Sequence, residues 1–184
     1  NFSHTDILLN PSSVGDAIEM LVENPARVPI AGGATLVAML NANLIDPAGL
    51  VNLKDLAELS GISRNSSGEI KIGALSRHAE TAQSDLLIGG LSGLKDAAQK
   101  IANPTVRNMG TMGGAVAFAD PAADYTPALF AADADFWSLH AGSRSLFPET
   151  PLPRPSPDQV SDSHSIPDPL HSGIRHLHVT FFTE

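Results

Sequence analysis

Two glycines in succession, Gly32-Gly33, separate the apolar run Val28-Pro29-Ile30-Ala31 from a helix-like stretch at 35–44. This junction constrains the fold more than any other feature of the chain. A residue without Cβ lets the backbone turn tightly or approach another group closely, and a strand–turn–helix junction leaves unpaired N–H groups at the helix start. Such a start suits a phosphate. The string is neither GxGxxG nor a P-loop, because no Gly-Lys-Ser/Thr follows. An ordinary tight turn between strand and helix is the competing reading. Pro47 and Gly49 then lead to an apolar stretch at 50–53, so strand, turn, helix and strand make a small βαβ unit.

Upstream, Pro11-Ser12-Ser13 offers a helix cap, and Val14, Ala17, Ile18, Leu21 and Val22 follow helical spacing. Asn24-Pro25 ends that helix. Downstream, residues 62–75 read as a hairpin, with Ile70, Ile72 and Ala74 alternating against Lys71 and Gly73 and the turn at Asn65-Ser66-Ser67-Gly68. Ser76 is expected to cap a helix running to about Ser84. Another helix is expected over 94–101, an irregular stretch over 103–119, and a last helix over 122–132. Asp120-Pro121 has the form of an N-cap followed by proline at the first helical position. Residues 137–178 hold half of the 14 prolines and one alanine, Ala141, and read as a loop or tail.

The balance of 11 Lys+Arg against 20 Asp+Glu, with no basic cluster, argues against nucleic acid as a partner. With no cysteine, disulfides, thiolate catalysis and a self-contained iron–sulfur cluster are excluded. Apolar runs are far shorter than a membrane span, so no membrane insertion is expected. The start, Asn1-Phe2-Ser3-His4, has neither an initiator Met nor a signal pattern, and the chain is expected to begin inside its gene product. No serine lies in a Gly-x-Ser-x-Gly setting, which leaves no hydrolase signal. Five of the seven histidines (His140, His164, His171, His176 and His178) fall in the C-terminal segment, and the last four read as solvated. His78 is expected to be a surface or capping residue. No residue is assigned a catalytic role, and no metal is expected.

A second glycine-rich stretch follows, Asn108-Met109-Gly110-Thr111-Met112-Gly113-Gly114-Ala115. It is either a second anion-binding nest, with Thr111 adding a hydroxyl, or a segment packed tightly against other backbone. Neither glycine loop contains Lys or Arg, so a diphosphate bound there would be held by backbone amides, as dinucleotides can be. A side chain at Gly32 would then intrude where the ligand approaches, and Gly32→Val is expected to weaken binding while largely keeping the fold. Arg107, just before the second loop, either adds charge to the site or is a surface arginine, the second being the preferred reading. Asp124 is placed one helical turn beyond Asp120, leaving a metal, acid/base chemistry, or hydrogen bonds from sugar-like hydroxyls as its options.

Taken in order, Ala31-Gly32-Gly33-Ala34-Thr35-Leu36, then Val106-Arg107-Asn108-Met109-Gly110-Thr111-Met112-Gly113-Gly114, then Ala119-Asp120-Pro121-Ala122-Ala123-Asp124 resemble the FAD-binding subunit of the molybdenum hydroxylases. That family includes the medium subunit of aerobic carbon monoxide dehydrogenase and the matching domain of xanthine dehydrogenase. Leu50-Val51-Asn52-Leu53, Ile70-Lys71-Ile72-Gly73-Ala74 and Arg77-His78-Ala79-Glu80 add to the likeness, which covers roughly 6–136. The resemblance implies an α+β fold of two subdomains, with flavin in the cleft between them. These are a βαβ unit over 1–54 and a mixed α+β unit over 55–136; residues 137–184 depart from the pattern, although Thr180-Phe181-Phe182 again looks similar to a family segment.

By the same resemblance, FAD is the cofactor. Its first loop is Pro29, Ile30, Ala31, Gly32, Gly33, Ala34, Thr35 and Leu36. Its second is Gly110, Thr111, Met112, Gly113, Gly114 and Ala115, where the family usually has Asn or Ser in place of Ala115. Ile101 is an apolar contact and Asp124 the sugar-binding aspartate. The implied role is cytoplasmic electron transfer within an oxidoreductase. Electrons would pass from a molybdenum-cofactor large subunit through a two-iron two-sulfur small subunit to FAD and an external acceptor. The alternative is a non-catalytic or truncated homologue that keeps the fold as a scaffold.

Overall fold

The computed structural model describes residues 8–120, 123–140, 143–147 and 177–182. Two sheets organise them. The first is all-parallel and three-stranded, in the order β1 (Leu8–Leu9), β3 (Gly49–Asn52), β2 (Arg27–Ile30). The register sets Val28 beside Leu50 and Ile30 beside Asn52. Helix α1 (Val14–Glu23) begins where expected, because the Ser13 hydroxyl accepts from the Asp16 N–H at 3.1 Å and meets an otherwise orphaned donor. Helix α2 (Ala34–Asn41) completes the βαβ unit between β2 and β3. It stops short of the predicted 44, since Asn43 takes a positive φ of 54°. Ala17, Val51, Leu53, Leu56, Leu59, Ala74 and Leu75 form the core beneath this sheet.

The second sheet is mixed, in the order β4 (Ile62–Arg64), β5 (Ile70–Ile72), β8 (Leu177–Phe182), β6 (Ala134–His140), β7 (Ser143–Phe147). The β4–β5 hairpin turns where predicted, with the Asn65 carboxamide accepting from the Ser67 and Glu69 N–H groups. Its core gathers Ile70, Ile72, Leu87, Leu91, Leu94, Ala98, Met112, Tyr125 and Leu129. Residues 137–140, 143–147 and 177–182 are paired strands, so within 137–178 these parts are not the loop or tail that composition suggested. His164, His171 and His176 lie outside the described residues.

Three sequence expectations fail locally. Ser76 is no helix cap. It is fully buried, its hydroxyl donates to the Gly61 carbonyl at 3.0 Å, and α3 (His78–Gln83) starts after Arg77, whose N–H is taken by the Glu80 carboxylate at 2.8 Å. The stretch 103–119 is not irregular. Asn103 caps α5 (Pro104–Met109) with proline at its first position, Gly110 interrupts it, and Thr111 caps α6 (Met112–Phe118). The glycines had masked two caps. Finally, the last helix, α7 (Tyr125–Ala131), starts after Asp124, so Asp120 is not its N-cap and Asp124 stands at the helix start rather than a turn inside it. Helix α4 (Ser92–Lys100) lies close to its predicted span. Among the described residues, no helix is long and apolar enough to cross a membrane.

Leu94 on α4 is fully buried in the second core. Leu94→Ala should cost about 2–5 kcal/mol, as large-to-small core substitutions do. Urea denaturation monitored by circular dichroism checks this, and a loss under 1 kcal/mol, below that range, would mean that the core collapses around the gap.

Candidate functional site

The seam between the two glycine loops is a backbone-to-backbone contact. A Cβ on Gly32 would lie 1.7 Å from the Met109 carbonyl oxygen and 3.2 Å from Thr111 Cγ2. One on Gly113 would lie 2.6 Å from Ala74 Cβ. Both glycines therefore serve the protein's own close packing. The expectation that a side chain at Gly32 would meet the ligand and leave the fold intact is corrected: it meets Met109 first.

Beside this seam opens a cleft of about 810 Å³. Of the sixteen site residues expected from the sequence, Pro29, Ala31, Gly32, Gly33, Ala34, Thr35 and Leu36 line one wall. Ile101, Gly110, Thr111, Gly113, Gly114, Ala115 and Asp124 line the other parts. Two are absent from the wall. Met112 is fully buried in the second core, and Ile30 packs its side chain beneath Gly33. The sequence reading missed Ala102, Phe118, Asp120, His78 and Tyr125, which also line the cleft. A usable signal existed for one of them: Tyr125 is the chain's single tyrosine, directly after Asp124.

The two loops differ in what their backbones can offer. At the start of α2, Gly33 takes φ 77°, the left-handed conformation that glycine adopts without strain. The first intrahelical bond there is Val37 N–H to Gly33 carbonyl, at 2.9 Å. The N–H groups of Ala34, Thr35 and Leu36 have no acceptor among the described residues, and no side chain caps the helix. At α6 the donors are already engaged. Met112 N–H bonds the Ser76 carbonyl at 2.8 Å, Gly113 N–H the Ala74 carbonyl at 2.9 Å, and Gly114 N–H the Thr111 hydroxyl oxygen at 3.2 Å. The expected second nest of amides is thus spent on holding the loop against residues 74–76. Arg107 is neither in the cleft nor idle: its guanidinium donates to the Ile101 and Ala102 carbonyls at 2.7 and 3.1 Å, fixing the turn that presents those residues.

Among the described residues no lysine or arginine lines the cleft, and Asp120 and Asp124 are the carboxylates that do. An anion would be held by the α2 amides and the positive end of that helix, a hydroxyl-bearing ligand by the aspartates, and a flat apolar group by Leu36, Met39 and Phe118. Among the described residues no cluster of three His, Asp or Glu side chains is suited to a metal. His78, expected at the surface, is only 6% exposed. Burial lowers its pKa to about 4 and keeps the ring neutral. Its Nδ1 lies 3.2 Å from the Tyr125 hydroxyl. Burial raises the Tyr125 pKa as well, so both partners are uncharged.

Residues 2–148 match a family described as "FAD binding domain in molybdopterin dehydrogenase". The chain belongs to this family. FAD is therefore its cofactor class, and the donor set of the cleft fits it: free amides for the diphosphate, carboxylates for the sugar, apolar walls for the rings. The chain is 34% identical over 135 residues to the glyceraldehyde dehydrogenase medium chain of Sulfolobus acidocaldarius, covering 73% of this chain and 48% of that one. It is 37% identical over 121 residues to the carbon monoxide dehydrogenase medium chain of Afipia carboxidovorans, covering 65% and 41%. Among solved structures, reconstituted CO dehydrogenase from Oligotropha carboxidovorans superposes with a TM-score of 0.72 at 28% identity, covering 76% of this chain and 49% of that one. The chain thus spans less than half the length of these curated relatives.

Two expectations follow from the geometry. Gly32→Ala should destabilise the protein without any ligand by about 1–3 kcal/mol or more, since it overpacks the seam; an unchanged apoprotein melting temperature would refute this. His78 sets a pH dependence. The unfolded chain binds a proton near pH 6.5 and the folded chain only near 4, so stability is full above about 6.5 and is lost as the pH falls towards 4. The loss should reach about 2 kcal/mol by pH 5. Chemical denaturation across that window, compared with His78→Phe, measures it; equal pH slopes would contradict the assignment.

Proposed function

We propose that this chain is the FAD-carrying part of a molybdenum hydroxylase. It would take electrons from iron–sulfur clusters on a small subunit, fed by a molybdenum-cofactor large subunit, and pass them to an external acceptor. The amides at the start of α2, in a cleft lined by no lysine or arginine among the described residues, carry this reading. They would donate hydrogen bonds to a diphosphate and face it with the positive end of the helix, without the fixed positive charge that a lone phosphate site commonly uses. FAD, when bound, supplies the redox chemistry.

The chain's own residues bind and orient. Ala34, Thr35 and Leu36 would donate N–H groups to the diphosphate. Asp124 would accept a hydrogen bond from a sugar hydroxyl. Gly32, against Met109 and Thr111, keeps the two loops close enough to share one ligand. Leu36, Met39, Ile101 and Phe118 would exclude water from the apolar part. Ala115 offers no side-chain hydrogen bond, which supports the scaffold alternative. On this reading the division of labour runs from a βαβ unit over 1–54 to an α+β unit over 55–136, and the proposed compartment is the cytoplasm. The absence of cysteine, which leaves the clusters to other subunits, supports the complex.

Titration with FAD decides between the two. Binding should develop the flavin band near about 450 nm at one FAD per chain, and Asp124→Ala should weaken it about tenfold or more, the loss of one charged hydrogen bond. A folded protein that takes up no FAD at millimolar concentration would leave the scaffold reading standing instead.

A further inference from the structure

The buried pair His78–Tyr125 has no part in the binding scheme above, yet it joins two pieces of the cleft wall. His78 is tied to the second glycine loop twice. Its N–H donates to the Gly110 carbonyl at 3.0 Å. Its ring edge lies on the bare Gly110 backbone, where a Cβ would come within 2.5 Å of Nε2 and 2.7 Å of Cδ2. On its other side Nδ1 meets the Tyr125 hydroxyl at 3.2 Å, with ring centroids 5.2 Å apart and tilted by 59°. Tyr125 is the first residue of α7, and it follows Asp124 directly.

We propose that His78 is a positioning residue, an imidazole wedge that spaces Asp124 and the start of α7 from the second glycine loop. This rests on the cofactor reading of the cleft. Three observations carry it beyond simple packing. Asp124 has no side-chain cap bond of its own, so nothing in its own helix start fixes its direction. The Ala123 N–H donates to the Asp120 carbonyl at 2.9 Å, and the next residue but one, Tyr125, is 2% exposed and part of the core. Gly110 is the one residue type that leaves room for the ring, so its lack of a side chain serves the wedge rather than the ligand. Both rings are uncharged, so the bridge is a neutral hydrogen bond and holds across the physiological range.

A double-mutant cycle between the bridge and Asp124 tests this on the full 184-residue chain. Tyr125→Phe keeps the ring and removes the hydroxyl, with its contacts to both His78 and the Thr81 side chain, so the His78 variants below isolate the bridge. It should weaken FAD binding at least about fivefold, one neutral hydrogen bond. In an Asp124→Ala background the same change should cost almost nothing, because the bridge acts through that carboxylate. His78→Gln, whose amide can still bond the hydroxyl, should retain more affinity than His78→Leu. Without FAD, the first amides of α7 should exchange hydrogen faster in Tyr125→Phe than in the parent. Additive affinity losses, or a lowered melting temperature with unchanged affinity, would make His78 a plain core residue. If the parent binds no FAD, the cofactor reading falls, and the exchange measurement decides the wedge by itself: unchanged protection of α7 overturns it, and faster exchange supports it.

Discussion

The site depends on one close approach, that of Gly32 to the Met109 carbonyl, with room for no side chain between them. The first glycine belongs to the parallel βαβ unit and the carbonyl to the helical segment that serves the mixed sheet. Where the two backbones touch, the start of α2 and the start of α6 come to face the same cleft. A Cβ at that point would push the halves apart and widen the cleft by the size of a methyl group. Packed interiors do not absorb such an insertion without strain. The glycines thus decide how near the walls of the cleft stand.

The same approach settles which helix start stays free. Residues 74–76 run beside 110–113 and take up the Met112 and Gly113 amides. Among the described residues no comparable segment runs beside 34–36, and their amides keep the cleft as their only outlet. Two loops that look alike in composition therefore divide their work. One is a donor array. The other is a rigid wall, held to its neighbours by hydrogen bonds and to α7 through His78. A binding site for a long, jointed ligand needs both: donors to fix the charged joint, and an unyielding surface to fix the distance to the next contact.

Much of this was legible beforehand. Helix α1 and its Ser13 cap, the β4–β5 hairpin and the βαβ order follow from spacing and turn chemistry that operate within a few residues. The ordered motifs led to the family, and fourteen of the sixteen expected site residues do line one cleft. The failures share a cause. Ser76 looked like a cap because serine caps helices, but its hydroxyl was claimed by Gly61 across the fold. Asp120 and Asp124 looked like a cap and a residue one turn later, but the helix waits until Tyr125 can bury its ring. The caps of α5 and α6 were hidden because glycine-rich stretches read as irregular.

By itself, then, the sequence determined where side chains are missing, where helices can begin, and which family's motifs the chain carries, because these are properties of adjacent residues. Only the tertiary structure decided that Gly32 presses on protein rather than ligand, that the second loop's amides are already spent, and that His78 is buried and neutral against Tyr125. Each of those outcomes depends on a partner far away in the chain: Met109 for Gly32, Ser76 and Ala74 for the amides of 112 and 113, Tyr125 for His78. A hydrogen-bond donor is free or committed according to what the fold brings within about 3 Å of it, and no local pattern carries that information.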